Sequence, residues 1–350
     1  MKKLVTKNRD QASELGAHHL YGTIPVLERD FLLDRLSRHL QDHEIVARRD
    51  KTGLNVDLPD LSARLITAHD GIRIDLASAD LERLYFTKVW LDEAIQEAGG
   101  ADVAEILWDD HTLTGMPPSF CILTVASTED ISPRLRRISF LTRHVHRFNT
   151  MEQMHLRLLM NFNEVSQASQ SGCPIKPIWR VYTVRQFDEQ TSTLVVDFVL
   201  HDEDGAGTEW AKRALIGECL GAAGPCGGGY SHSDTALIAG DETALPAIAR
   251  ILASLDPEAS VKVICEAETE ADILAMPSRA EVEVNWLLRN GRQSRLADHV
   301  FSEAEKNRNF TGLWVACEAG EAKALRRQLQ GIDHSFRNLR IFSYWHKEPA

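Results

Sequence analysis

Three short stretches carry side chains whose types and spacing could do chemistry. The first is RVYTVRQF, residues 180–187. Arg180 can pair with a phosphate through two parallel hydrogen bonds. Tyr182 can stack on or flank a planar ring, and Thr183 offers one hydroxyl that donates or accepts. Strand alternation places Arg180 and Tyr182 on one face and Thr183 on the other, so a molecule draped over the strand end could reach all three. An ordinary exposed strand would read the same way. The second stretch is LHDEDGAGTEWAKRAL, from Leu200. His201 closes a strand, Gly205 and Gly207 make a loop, and Thr208 is read as the cap of a helix beginning at Glu209. A helix N-terminus binds anions, a pyrophosphate among them; a plain capped helix after a turn is the alternative. The third is LIAGDETALPAIARIL. A buried strand runs into Gly240, then Asp241, Glu242 and Thr243, then a helix with Pro246 in its first turn, where proline is tolerated. Such a junction at the carboxyl edge of a parallel sheet is where dinucleotides bind. It lacks the G-x-G-x-x-G fingerprint, and its spacing alone reads as structural.

The elements that must position these residues fall into three groups. Residues 1–110 read as a small α+β domain: a helix over 30–42 with Leu32, Leu33, Leu36 and Leu40 on one face, strand-like runs, then a helix ending at Gly99-Gly100. Residues 113–230 offer successive short β-rich segments, which suggest an antiparallel barrel or sandwich. Within them NEVSQASQSGCPIKP reads as a polar loop, and GAAGPCGGGY as a flexible link between domains, since it lacks the lysine of a P-loop. From 231 to 350 strands alternate with helices at 242–255, 268–276, 294–305 and 319–330, the pattern of a doubly wound parallel sheet. His144 and His146 fall on one face if their segment is a strand, but a third metal ligand is not evident and no metal site is expected.

Composition narrows the function. The net charge of −12 disfavours a broad phosphate-binding face, so nucleic acid is not an expected partner. The six cysteines are scattered, with no C-x-x-C pair for a zinc knuckle or an iron–sulfur cluster. Free thiols and the absence of an apolar leader fit the cytoplasm. No apolar run is long enough for a membrane span.

A barrel followed by a nucleotide-type α/β domain is the order seen in ferredoxin-reductase-like flavoenzymes. More specifically, QMHLRLLM, RVYTVR, DFVLH, GAGTEWA, AGDETALPAIARIL, WVACEAGEAKALRRQL and YWHKE, in this order, resemble the siderophore-interacting protein family of flavin-dependent ferric reductases. GDETALP is the most specific piece, and the resemblance covers roughly residues 115 to 347. The N-terminal part is similar, more weakly, to a small uncharacterised domain that occurs beside or apart from these reductases. The resemblance implies FAD on the barrel, NADPH or NADH on the α/β domain, and reduction of siderophore-bound Fe(III) to Fe(II). Arg180, Val181, Tyr182, Thr183 and Val184 would hold the flavin, with Thr183 at the reacting ring nitrogen. His155 matches the family's histidine in its early barrel strand, while His201, Gly207 and Thr208 would take the pyrophosphate. Gly240, Asp241, Thr243, Ala244 and Glu318 would border the nicotinamide nucleotide. Because ferric siderophores are often anionic, Arg157 and Lys347 are expected as a local basic patch. The chain departs from the family at GAGTEW, usually Gly-Pro-Ala-Ser before a basic residue and Trp; at Cys317, usually glycine; and at His346, often arginine. These departures leave the nicotinamide preference and siderophore charge open. A monomer is expected. The competing reading is a non-catalytic siderophore-binding or carrier protein that retains the fold; an intact R-x-Y-T run argues against it.

Overall fold

The structure is a computed structural model that describes residues 18–42, 45–99, 105–109, 113, 115–171, 175–201, 205–330 and 336–347. Gly100, Cys173 and Glu348, which the sequence reading touched, lie outside these. The chain divides into two compact units, Met1–Ser119 and Phe120–Ala350. The barrel and the parallel sheet thus share the second unit.

In the first unit, β1 (His18–Ile24), β2 (Ala47–Arg49), β3 (Gly53–Leu58), β4 (Leu61–Ala68), β5 (Gly71–Ser78) and β6 (Leu107–Trp108) form an antiparallel sheet in the order β2-β3-β4-β5-β1-β6. Helices α1 (Arg29–Asp42) and α2 (Leu81–Gly99) pack on each other and on this sheet. Leu32, Leu33, Leu36 and Leu40 are buried in its core, as their 3–4 spacing requires.

The second unit opens with β7 (Cys121–Ser132), β8 (Leu135–Leu141), β9 (His155–Leu159), β10 (Trp179–Thr183), β11 (Gln186–Asp188), β12 (Thr193–Val199) and β13 (Cys219–Cys226). They pair antiparallel in the order β10-β9-β13-β7-β8-β12-β11. The two edge strands, β10 and β11, are separated in the chain only by Val184 and Arg185. Two residues cannot span a flat seven-stranded sheet at 4.7–4.9 Å per strand, so the sheet curls into a barrel. The Arg185 amide donates to the Val195 carbonyl at 2.8 Å, which extends the β11–β12 ladder back toward β10.

Three segments of this half depart from the sequence reading. NEVSQASQS forms helix α3 (Phe162–Ser171) rather than a loop, because Val165 and Ala168 bury one stripe. GAAGPC is the buried central strand β13, not a link; a Cβ on Gly221 would stand 2.7 Å from the Phe120 ring. His144 and His146 lie at a 3₁₀ turn (Val145–Phe148), where the two-residue period that would align them does not hold.

The parallel sheet comprises β14 (Thr235–Gly240), β15 (Ser260–Ala267), β16 (Glu281–Leu288), β17 (Gly312–Glu318) and β18 (Asn338–Trp345), ordered β16-β15-β14-β17-β18. Helix α5 (Leu245–Ser254) covers one face, and α6 (Leu296–Lys306) with α7 (Ala319–Leu329) the other. The expected helix 268–276 is only a 3₁₀ turn, Glu270–Asp272, pinned by reciprocal hydrogen bonds between Thr269 and Asp272 and followed closely by Pro277. Strand order reverses between β14 and β17. Their carboxyl ends therefore frame the crevice where open α/β sheets bind ligands.

Candidate functional site

The predicted residues gather in three groups. In the first, β10 meets helix α4 (Ala206–Arg213). The Tyr182 ring leans on Phe198, with centroids 4.3 Å apart, and burial pushes its phenol pKa up. Its hydroxyl lies against Gly207 so closely that a Cβ there would overlap it. Gly205, not Thr208, is the N-cap of α4, and no side chain caps the helix. Thr208 sits inside the first turn instead, its hydroxyl donating to the Val199 carbonyl at 3.3 Å and lying 3.2 Å from His201 Nε2. Arg180 is exposed; its guanidinium donates to the Trp179 carbonyl at 2.9 Å, and no carboxylate among the described residues pairs with it. Exposed Arg180 thus stands two residues along β10 from a ring wedged over a glycine, at a helix N-terminus without a side-chain cap. A guanidinium and free helix N–H groups are the kinds of group that could hold an elongated anion carrying a planar ring.

In the second group the barrel meets the last strand of the parallel sheet. Thr183 pairs with His155 in the β10–β9 register, and both are buried. The Tyr344 hydroxyl of β18 lies 2.7 Å from His155 Nε2, and the neighbouring Thr183 side chain tempers the rise that burial gives its pKa. Burial, reinforced by the nearby Arg250 charge, pulls the His155 pKa down to about 4, so its ring is neutral near pH 7. Arg157, two residues along β9, adds to that depression and stands opposite exposed Val181.

The third group occupies the crevice. A Cβ on Gly240 would clash with Ala244 and stand 2.7 Å from the Ala316 carbonyl, so packing alone demands glycine there. Asp241 Oδ1 accepts from the Thr243 amide at 2.9 Å and hydroxyl at 2.5 Å; Oδ2 accepts from the Glu318 amide at 3.0 Å and Trp345 Nε1 at 2.8 Å. Burial raises the Asp241 pKa to about 6 against the pull of these donors. The Glu318 carboxylate caps α7 through the Gly320 and Glu321 amides and receives the Lys347 amide at 3.4 Å. Asp241 and Glu318 therefore hold β14, β17, β18 and α7 together. Beyond them Arg289 is clasped by Glu242, Glu266 and Glu268.

Sequence reasoning missed Tyr344, Trp345 and Arg250. The first two lie in a terminal strand whose partners are more than a hundred residues away. Arg250 left a trace, as one charge inside LPAIARIL, where every residue from Leu245 to Leu252 is buried.

Two family models match within the second unit. The siderophore-interacting FAD-binding domain covers residues 124–229, and the siderophore-interacting protein model covers residues 233–348. An uncharacterized protein of Mycobacterium tuberculosis is 33% identical over 193 residues, which is 49% of this chain and 66% of that protein. The ferric vibriobactin reductase ViuB of Vibrio cholerae is 35% identical over 122 residues, 34% of this chain and 45% of its own. The chain thus spans less than two thirds of either relative's length. The crystal structure of a siderophore utilization protein from T. fusca superposes with a TM-score of 0.55 at 27% identity, covering 66% of this chain and 94% of that one. The barrel-then-parallel-sheet order, the two adjoining matches and this superposition lead to one conclusion: residues 124–348 carry the two domains of the siderophore-interacting protein family.

Proposed function

We propose that the protein is an FAD-containing reductase that passes electrons from NADPH or NADH to siderophore-bound Fe(III), releasing Fe(II). The observation that carries this reading is the Tyr182 ring seated against Gly207 at the uncapped start of α4, two residues along the same strand from exposed Arg180. Arg180 would pair with a flavin phosphate, and the backbone N–H groups from Ala206 to Thr208 would take the pyrophosphate. Tyr182 would flank the ring, with Val181 beside it on the same strand, Val184 just past the strand end, and Thr183 presenting its hydroxyl to the ring edge. When bound, FAD accepts a hydride and releases electrons singly, which is the conversion that ferric iron needs. The chain's own residues orient and shield: Tyr344 holds the His155 side chain beside Thr183, and burial keeps water from them. Neutral His155 offers a hydrogen bond without adding charge. The crevice at Gly240, Thr243 and Ala244 would border the nicotinamide nucleotide through backbone groups, since the Asp241 oxygens are already taken. Arg157 and Lys347 would supply positive charge toward an anionic siderophore. Fe(II) binds such hard oxygen donors far less well than Fe(III), so reduction frees the metal.

Purified protein is expected to be yellow, to bleach with NADPH or NADH under anaerobic conditions, and to recover its colour on adding a ferric siderophore. Arg180→Ala is expected to weaken FAD binding by about 1.5–3 kcal/mol, the worth of a charge-assisted hydrogen bond. A protein that takes up no FAD in a fluorescence titration refutes the reading. A variant that holds FAD as tightly as the native chain refutes the role of Arg180.

A further inference from the structure

Arg250 lies inside helix α5 with 6% exposure. Its guanidinium donates to the carbonyls of Phe148 (2.6 Å), Thr150 (2.8 Å) and Val184 (2.8 Å), and more weakly to Met154 (3.4 Å). The Phe187 ring centroid is 5.5 Å away. No carboxylate among the described residues pairs with it. The helix belongs to the parallel-sheet half; every one of these carbonyls belongs to the barrel half. Met154 immediately precedes His155, Val184 immediately follows Thr183, and the Val184 amide itself donates to Met154 at 2.8 Å. Arg250 therefore stands one residue from each of the two barrel side chains that meet Tyr344.

A buried cation without a counter-ion is costly. Apolar side chains of similar volume often join two elements at equal or lower cost, so a purely structural seam has no need of this charge. Carbonyl dipoles satisfy its N–H groups but leave its net charge intact. Burial pulls its pKa only to about 10, which keeps it charged at neutral pH.

We propose that Arg250 is a positioning residue for electron transfer: it fixes the ends of β9 and β10, and its unneutralised charge sets a positive potential at the Thr183–His155 site. That potential favours the added negative charge of a reduced ring there. The flavin half of this inference rests on the placement given under Proposed function; the effect on the site's own side chains does not.

The test uses the full chain with Arg250→Met and Arg250→Lys. The first readout is the titration of His155, followed by NMR in protein without added flavin. Tyr344 from β18, Arg250 from α5 and Arg157 on its own strand are the groups that face this ring. The second is the midpoint potential of the FAD-loaded protein, and the third its FAD dissociation constant. In Arg250→Met the His155 pKa is expected to rise and the midpoint potential to become more negative. Arg250→Lys keeps the charge but cannot reach all the carbonyls. It should leave the first two readouts near native values while raising the FAD dissociation constant about tenfold. A folded Arg250→Met variant with native His155 titration and native potential overturns the proposal. Should that variant not fold, Arg250→Lys decides: a raised His155 pKa despite the retained charge overturns it. A native protein that binds no FAD refutes the flavin placement and, with it, the electron-transfer role; the His155 titration then still decides whether the charge acts on the site.

Discussion

His155 and Asp241 are buried groups whose pKa values shift in opposite directions, and their effects on stability oppose each other. The folded-state pKa of His155, about 4, lies below its ordinary 6.5. As pH falls from 6.5 to 4 the unfolded chain takes the proton first, so stability worth roughly 3 kcal/mol drains away over that window. Asp241 is raised from 3.8 to about 6. There the folded state takes the proton first, and stability increases as pH falls through that range. The native protein should therefore show a shallow stability profile between pH 4 and 6. His155→Gln should unmask the Asp241 slope, making the variant relatively more stable at pH 5 than at pH 7 in urea melts. An unchanged profile would show that His155 does not titrate as a buried ring. Asp241→Asn should destabilise at pH 7 although it removes a buried charge. An amide has a single acceptor oxygen, so the donors on its other side are left facing N–H groups, at about 1–3 kcal/mol for each one unsatisfied. Thermal melting checks this; a native or higher Tm would mean that the loss of charge outweighs the loss of acceptors.

Between strand β10 and helix α4 the fit is set by the missing side chain of Gly207. Gly207→Ala forces the Tyr182 ring off Phe198 or shifts the helix, an overpacking cost of about 1–3 kcal/mol. Near-UV circular dichroism should register the ring movement, and FAD affinity should fall with it. Unaltered spectra and affinity would mean that the glycine is incidental. Much of this arrangement was legible in the sequence. The R-x-Y-T strand and the Gly240 junction fall in the elements their pattern announced, whereas Gly207, read as loop, lies inside the first turn of α4. Other segments were hidden for identifiable reasons. Thr208 looks like a cap because capping is the usual use of threonine before an acidic first turn, yet Gly205 takes that place. GAAGPC carries turn residues but is a central strand, because the rings of Phe120 and Phe162 occupy the space that larger side chains would fill. Arg250 and Tyr344 could not be assigned from local pattern at all, since their partners come from other elements far along the chain.

Taken as a whole, the molecule keeps its cores apart: one apolar cluster lies entirely within the first unit, and the others lie entirely within the second. A fragment of residues 120–350 is therefore expected to fold cooperatively alone and to take up FAD with native affinity, measured by fluorescence titration and thermal melting. A fragment that melts without cooperativity, or fails to bind, would show that the first unit completes the second. Within that second unit, Tyr344 lies well over a hundred residues beyond the His155 and Thr183 side chains it meets. Synthesis runs from the N-terminus, so on the ribosome the barrel strands emerge long before β18. Until that strand docks, the His155 ring and the Thr183 hydroxyl have no phenol to meet, and the heart of the site stands open to water. Its completion is thus a late event in the birth of the chain, timed by the final strand of the parallel sheet rather than by the barrel that carries the R-x-Y-T run.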